Sequence, residues 1–248
     1  MKLTIGHLYP DLLNLYGDRG NIRCLEKRLQ WRGIEAEVLS LTSDCHIDFT
    51  KLDLVLLGGG SDREQKLACG FLSGQKSAFR EYTEHGGAVL AVCGGYQLLG
   101  NYYQTENEHL EGLGILDIYT KWESKRLVGN IILNSPLNPS RPVVGFENHG
   151  GRTYIGNHMP FGQVLLGCGN KENSGYEGVI YKNIIATYLH GPLLPKNPGI
   201  CDYLLEKALK QKYGASKVLG FLPDRQEHLA NSDIVKRFAP RKFFFFPS

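Results

Sequence analysis

The sequence predicts an α/β protein with a mostly parallel central sheet flanked by helices, and with a β-rich second half. In the first part of the chain, apolar runs typical of buried parallel strands alternate with amphipathic helical patterns. From Gly112 onward, short strand-like segments are separated by glycine, proline and asparagine, as in β-structure with tight turns. The first part therefore predicts an open sheet with right-handed crossovers, in which ligands bind at the carboxyl ends of the strands.

The individual elements follow from local patterns taken in chain order. Strands of the first part are predicted at residues 3–9, 35–41, 52–57 and 88–92. Helices are predicted after residue 21, with Asp18 as a candidate cap, and at residues 64–72 and 76–85. Strands of the second part are predicted at residues 113–120, 127–133, 143–147, 163–167, 178–182 and 184–189. A helix is then predicted over residues 197–213, with Gly214 as its end.

Length and composition limit the classes of protein. The chain has 248 residues, and we expect one domain over residues 1–215 and a partly helical or disordered extension over residues 216–248. The net charge of +3 is small, which argues against nucleic acid as the main partner. We expect a cytoplasmic protein without a transmembrane segment, because no apolar run approaches the roughly 18 residues that span a bilayer. Near the C-terminus, residues 243–246 are four phenylalanines, which favour a frayed or partner-docked tail over a membrane anchor.

The most informative stretch is AVLAVCGGYQLLG, residues 88–100. An apolar run that stops at Cys93, Gly94 and Gly95 predicts a buried strand, a sharp turn and the start of a helix. A cysteine at such a turn projects from the carboxyl end of its strand, and we expect the positive end of the helix to lower its pKa. The turn alone leaves two interpretations, a nucleophile or an inert cysteine buried after a core strand. The six cysteines form no CxxC pair, so the sequence indicates neither a zinc site nor a disulfide scaffold.

Two other segments are predicted to end at the same rim of the sheet. LLGGGSDREQ, residues 56–65, places three glycines directly after a strand. Two interpretations are open: the exposed amides of this loop surround an oxyanion, or the glycines form only a tight turn. A phosphate cradle has little support, because the segment has neither a GxxxxGK[ST] nor a GxGxxG pattern. In ATYLHGP, residues 186–192, a strand ends at His190. Such a histidine alone is more often structural, but with Cys93 and the glycine loop it predicts a cysteine hydrolase with an oxyanion hole.

At this point the residues resemble a known family. The motifs that carry the resemblance are, in chain order, GGGSDREQ, AVCGGYQLLG, LEGLGILDIYT, VGFENHGGRTY and TYLHGPLLPKNP. This ordered set is similar to the class I, triad-type glutamine amidotransferases, and within them to the cobyric acid synthase branch. The resemblance covers about residues 3–212. It implies a flavodoxin-like class I glutamine amidotransferase fold and hydrolysis of L-glutamine to glutamate and ammonia.

The resemblance also implies roles for particular residues. Cys93 is expected to attack the side-chain amide of glutamine, and His190 to accept the thiol proton and return it to the leaving ammonia. The amides of Gly59 and Gly94 are expected to hold the oxyanion. Arg126, in SKRLVGN, matches the arginine that binds the α-carboxylate of glutamine, although without the resemblance it would be a solvated charge at a strand edge.

A partner subunit is implied as well. The motifs are most similar to those of glutaminase subunits that pass ammonia to a Mur-ligase-like synthetase, which amidates the D-glutamate α-carboxylate of the lipid II stem peptide. The sequence has no P-loop, so no cofactor or metal is expected on this chain, and ATP and Mg are expected on the partner of a heterodimer. Three alternatives stay open: a glutaminase for a cobyric acid synthase-type amidation, a cysteine peptidase or deglycase of similar architecture, and a non-catalytic scaffold.

The sequence departs from the wider class at one position. Most triad-type members have a glutamate two residues after the histidine, and this chain has Pro192 there. The group that orients His190 is therefore open, with the partner, Glu147 or a backbone carbonyl as candidates. We expect Glu147, Asn148 and His149 either to line the mouth of the site or to form a plain polar turn.

Overall fold

The computed structural model describes residues 1–14, 18–106 and 108–239. Its strands are β1 (Lys2–Leu8), β2 (Glu35–Leu41), β3 (Leu54–Leu57), β4 (Ala88–Val92), β5 (Tyr102–Gln104), β6 (His109–Glu111), β7 (Tyr119–Asn134), β8 (Val143–Tyr154), β9 (Gly162–Leu166), β10 (Tyr176–Glu177), β11 (Val179–Tyr181) and β12 (Ile184–Thr187). Its α-helices are α1 (Arg19–Gln30), α2 (Asp62–Ser73), α3 (Lys76–Glu84), α4 (Gly94–Leu98), α5 (Pro198–Tyr213) and α6 (Arg225–Phe238).

The first sheet places the predicted site segments side by side. Its strand order is β11-β12-β4-β3-β1-β2, and every neighbouring pair is parallel except β11 with β12. All residues of β3, β4 and β12 are buried, as expected for strands at the centre of a sheet that is covered on both faces. Because β3, β4 and β12 are parallel neighbours, the loops after their carboxyl ends meet at one rim. The predicted α/β class is confirmed.

A second sheet contains much of the later part of the chain. Its order is β10-β9-β7-β5-β6, and β8 pairs with β7. The strands β7 and β8 form a long antiparallel hairpin with a register shift between Trp122 and Leu127. Arg126 lies within this irregular part of β7. The β-rich second half is confirmed.

The strand predicted over residues 113–120 is wrong for most of its length, because only Tyr119 and Thr120 belong to a strand. Residues 113–118 form a loop under α4, where the amides of Leu113 and Ile115 donate to the carbonyl oxygens of Leu98 and Leu99 at 2.8 and 2.9 Å. Leu113 is fully buried and Ile115 is 8% exposed. The apolar pattern of residues 113–118 therefore reflects their burial and not a β-strand.

The last described segment is helix α6, which the sequence pattern did not locate. Arg28 of α1 is 1% exposed and bonds both Asp202 of α5 and Asp224 at the start of α6. Asn231 of α6 donates to the carbonyl oxygen of Lys196 at 3.1 Å. These contacts fix α6 to the rest of the fold, while the domain boundary after residue 215 stays a prediction.

Two predictions concern membranes and the C-terminal end. The four phenylalanines at 243–246 lie outside the described residues. Within the described ranges, no helix combines the length and the apolar character needed to cross a bilayer.

Candidate active site

Cys93 lies at a sharp turn between β4 and α4. Its φ of +51° is unusual for a residue with a side chain and stores about 1–3 kcal/mol of backbone strain. The Cys93 amide donates to the carbonyl oxygen of Thr187 at 2.8 Å, which fixes the turn to β12. A Cβ at Gly95 would lie 2.7 Å from the carbonyl oxygen of Leu57, so only glycine allows the helix to start this close to β3. The geometry is that of a nucleophile at a strand-to-helix turn.

The glycine loop lies against both predicted catalytic side chains. A Cβ built on Gly59 would be 3.1 Å from Cβ of Cys93 and 3.3 Å from Cε1 of His190. The loop, the cysteine and the histidine therefore form one cluster at the carboxyl ends of β3, β4 and β12. Residue 190 is fixed through its backbone, since its amide donates to the carbonyl oxygen of Phe146 at 2.8 Å and its own carbonyl accepts from the Phe146 amide.

Both side chains are protected from water, and this sets their protonation. Burial, followed by the nearby charge of Asp18, raises the pKa of Cys93 to about 12, although a hydrogen bond from the Gly94 amide acts in the opposite direction. Burial also lowers the pKa of His190 to about 4, and the nearby His149 and Arg126 act in the same direction. The expectation of a lowered cysteine pKa is thus wrong, because desolvation outweighs the effect of the helix terminus. At neutral pH the pair is a neutral thiol beside a neutral imidazole.

A cavity of about 300 Å³ opens onto Cys93. Its lining residues are Gly60, Ser61, Asp62, Gln65, Cys93, Gln97, Tyr103, Trp122, Arg126, Asn148, His149 and Gly150. The predicted nucleophile and the predicted substrate-binding arginine therefore border the same space. A second cavity, of about 980 Å³, lies between β2, residues 46–53 and α3, and none of the predicted site residues lines it.

Arg126 is held in place by the neighbouring strand. Its Nε and Nη2 donate to Oδ1 of Asn148 at 3.1 and 2.9 Å, and Nη2 also donates to the Asn148 carbonyl oxygen at 3.0 Å. A guanidinium fixed in this way presents a defined charge to the cavity, as recognition of a carboxylate requires. The structure thus brings Arg126 to the cavity of Cys93, although the two residues belong to different sheets.

Several polar groups of the cavity were not predicted from the sequence. Asp62 begins α2, and its Oδ1 accepts a hydrogen bond from the hydroxyl of Tyr103 at 3.3 Å. Gln65 and Gln97 each have a buried side-chain oxygen that has no partner among the described residues. Asp62 and Gln65 belong to the quoted motif GGGSDREQ, but local patterns did not distinguish them from ordinary residues at the start of a helix. Only the tertiary contact with Tyr103 and the cavity reveals them.

The segment from Glu147 to His149 divides between two environments. Asn148 and His149 line the cavity, and the His149 ring stacks on Tyr188 with centroids 3.7 Å apart. Glu147 does not line it, because its carboxylate accepts the amides of Cys168 and Gly169 at 2.8 and 2.9 Å. Of the two alternatives for this segment, lining the mouth holds for Asn148 and His149 but not for Glu147, and the plain polar turn is wrong because all three residues belong to β8.

Asp18 does not cap α1 through its side chain, contrary to expectation. Its carboxylate Oδ2 instead accepts the amide of Gly59 at 2.8 Å. An oxyanion would have to compete with Asp18 for this amide, whereas the Gly94 amide faces the sulfur of Cys93. The assignment of Gly59 and Gly94 to the oxyanion hole stays a prediction.

Comparison with known proteins agrees with this fold. A crystal structure of a glutamine amidotransferase superposes with a TM-score of 0.54 over 82% of this chain and 98% of that chain. Its sequence is 18% identical, so the match concerns the fold alone. The two chains therefore share their architecture.

Sequence comparison gives the family. The model of the CobB/CobQ-like glutamine amidotransferase domain matches residues 4–198, and the chain belongs to this family. The lipid II isoglutaminyl synthase (glutamine-hydrolyzing) subunit GatD of Staphylococcus aureus is 48% identical over 212 residues, 85% of this chain and 86% of that protein. The protein of the same name from Streptococcus pneumoniae is 39% identical over 218 residues, 86% of this chain and 83% of that protein. The predicted family and enzyme class, a glutamine amidotransferase, are confirmed.

Proposed function

We propose that this chain is the glutaminase subunit of a lipid II isoglutaminyl synthase. It hydrolyses L-glutamine, and the ammonia passes to a Mur-ligase-like partner that amidates the D-glutamate α-carboxylate of the lipid II stem peptide. The observation that carries the proposal is the similarity, over most of both chains, to two subunits of that name. Cys93 and Arg126 line one small cavity, and His190 and Cys93 both lie against Gly59, which supports the glutaminase half of the reaction.

The side chains account for the chemistry in two stages. As glutamine binds, the Cys93 thiol gives its proton to His190 and the sulfur attacks the side-chain carbonyl carbon. Collapse of the intermediate breaks the bond from carbon to nitrogen, and the imidazolium of His190 protonates the leaving ammonia. A water molecule, deprotonated by His190, then attacks the thioester, and glutamate and the free thiol are released. Because the resting pair is neutral, attack by the sulfur requires transfer of the thiol proton to His190.

The cavity matches an amino acid that carries both charges. Arg126 supplies a fixed cation for the α-carboxylate, and Asp62 supplies an anion for the α-ammonium. The side-chain oxygens of Gln65 and Gln97 are acceptors for amide hydrogens of the substrate. A volume of about 300 Å³ suits a free amino acid, which favours glutamine over the protein substrates of a cysteine peptidase.

The partner is part of the proposal because ammonia must be consumed in an ATP-dependent step. The sequence has no P-loop, and we assign ATP and Mg to the synthetase subunit. Pro192 occupies the place of the usual glutamate, and the Glu147 carboxylate is bonded to the backbone of Cys168 and Gly169. If the partner orients His190, glutamine hydrolysis should accelerate on assembly. If a group within this chain orients His190, the rates before and after assembly should be equal.

The decisive experiment reconstitutes the amidation with this chain, the synthetase, ATP and lipid II. With glutamine as the nitrogen source, we expect amidated lipid II by mass spectrometry. Cys93→Ala should abolish the glutamine-dependent product and leave the ammonium-dependent product intact, which separates lost catalysis from lost assembly. Glutamine-dependent amidation by Cys93→Ala, or no amidation by the wild-type complex with either nitrogen source, contradicts the proposal.

A further inference from the structure

Asp18 is a buried carboxylate that the proposed chemistry does not use. It is 0% exposed and lies immediately before α1. Its Oδ2 accepts the Gly59 amide at 2.8 Å, and burial raises its pKa to about 7. Burial of an acid costs free energy unless its hydrogen bonds compensate for the lost contacts with water. The position of Asp18 beside the reacting groups therefore suggests that it has a function there.

Gly59 connects this carboxylate to the catalytic side chains. A Cβ built on Gly59 would lie 3.7 Å from Oδ2 of Asp18, 3.1 Å from Cβ of Cys93 and 3.3 Å from Cε1 of His190. Gly59 therefore bonds Asp18 through its amide, and its Cα faces Cys93 and His190 with no room for a side chain between them. A shift of this peptide would change the position of both reacting side chains.

We propose that Asp18 is a positioning residue, which holds the glycine loop against Cys93 and His190 through the Gly59 amide. The inference rests on the proposed glutaminase function and concerns the same site. A carboxylate is a strong acceptor for a backbone amide, and its short side chain is fixed at the start of α1. In this role Asp18 stays hydrogen-bonded to the Gly59 amide during turnover. Of the two predicted oxyanion donors, the Gly94 amide is then the one that can bind the oxyanion.

The test compares Asp18→Ala with Asp18→Asn in the full chain. Both variants lack the charge, but asparagine keeps an oxygen that accepts the Gly59 amide. We expect Asp18→Ala to lower kcat for glutamine by about 10- to 100-fold, as a misplaced reacting group does. KM should change by less than about threefold, because the cavity of Arg126 is untouched. Asp18→Asn should recover most of the lost kcat.

Three controls make the comparison decisive. Asp224→Asn weakens the buried contact of Arg28, and neither residue lines the cavity, so this variant reports what lost stability alone does to kcat. Thermal unfolding shows whether each variant is folded. The rate at which chloroacetamide alkylates Cys93 compares Asp18→Ala with Asp18→Asn without any need for glutamine, and we expect the two folded variants to differ.

The outcomes separate the two claims. A wild-type chain that releases no ammonia, alone or with the synthetase, refutes the glutaminase function, and the alkylation rates then still test Asp18. Equal kcat and equal alkylation in Asp18→Ala and Asp18→Asn overturn the positioning role. A faster Asp18→Ala also overturns it, because the carboxylate would then be an inhibitory contact that competes with the oxyanion for Gly59.

Discussion

The Cys93 amide donates to the carbonyl oxygen of Thr187 at 2.8 Å. This bond joins the turn that carries Cys93 to the last residue of β12, three positions before His190. The separation of cysteine and histidine is therefore set by the parallel pairing of β4 and β12 and not by a flexible loop. A backbone supported in this way keeps the spacing of Cys93 and His190 without help from a ligand.

Loss of Arg126 should weaken glutamine binding more than it slows the chemical step. A charge-assisted hydrogen bond contributes about 1.5–3 kcal/mol, so Arg126→Ala should raise KM by about tenfold or more. Asn148→Ala, which removes the acceptor of Nε and Nη2, should raise KM by a smaller factor. Steady-state ammonia release measures both, with Lys125→Ala on the same strand as the control. Unchanged KM in Arg126→Ala, together with failed assembly, would move Arg126 from the substrate site to the interface.

Asp62 should recognise the α-ammonium of glutamine. We expect Asp62→Asn to raise KM for glutamine by about tenfold, since a paired charge is lost. Glutaramate, which is glutamine without its α-amino group, should be hydrolysed equally well by the wild type and by Asp62→Asn. An equal loss with both compounds would mean that Asp62 acts on the structure of α2 and not on the substrate.

The sequence predicted the segments that end at the rim but not the contacts that complete the cavity. The Cys93 turn was predictable because a fully apolar strand meets two glycines, which is a local signal. The bond from Tyr103 to Asp62 and the bonds from Arg126 to Asn148 join residues on separate elements, and no local pattern encodes them.

For two elements, local sequence patterns also fail to give the secondary structure, because tertiary contacts determine it. Helix α6 lacked a clear apolar stripe because Asn231 is its only buried residue among those described, so polar contacts and not apolar packing fix it. The apolar residues 113–118 were mistaken for a strand because their burial under α4 gives a similar pattern.

Glu177 should make folding stability depend on pH. Its carboxyl accepts the Tyr188 amide at 2.6 Å and the Thr187 hydroxyl at 2.9 Å, and burial raises its pKa to about 8. A raised pKa means that the folded state binds the proton more tightly, so this contribution is full below the usual pKa near 4.5 and is lost as pH rises towards 8. Glu177→Gln should therefore gain stability relative to the wild type as pH rises from 5 to 8.

Urea denaturation at several pH values across this range measures the effect. The difference between the wild type and Glu177→Gln isolates residue 177 from the other titrating groups. A difference in unfolding free energy that stays constant with pH would contradict the raised pKa.

Arg28 should be essential for the stability of the whole chain. It is 1% exposed and bonds Asp202 and Asp224, so Arg28→Met would leave Asp224 without its cation and Asp202 with Arg32 alone. Loss of one partner of a buried ion pair costs about 3–5 kcal/mol. Arg23→Met on the same helix is the control, because its side chain is 79% exposed and should cost less than about 1 kcal/mol. Similar urea midpoints for the two variants would show that the buried network contributes little.

The central claim is that Cys93 is the nucleophile of a glutamine-specific site. Its most direct test is peptide mass spectrometry of the full chain, with and without the synthetase, after brief exposure to a diazoketone analogue of glutamine. We predict one adduct, on Cys93, that excess glutamine prevents and that Cys93→Ala lacks. An adduct on Cys24, Cys168 or Cys201 instead, or labelling of Cys93 that glutamine does not slow, would contradict the account.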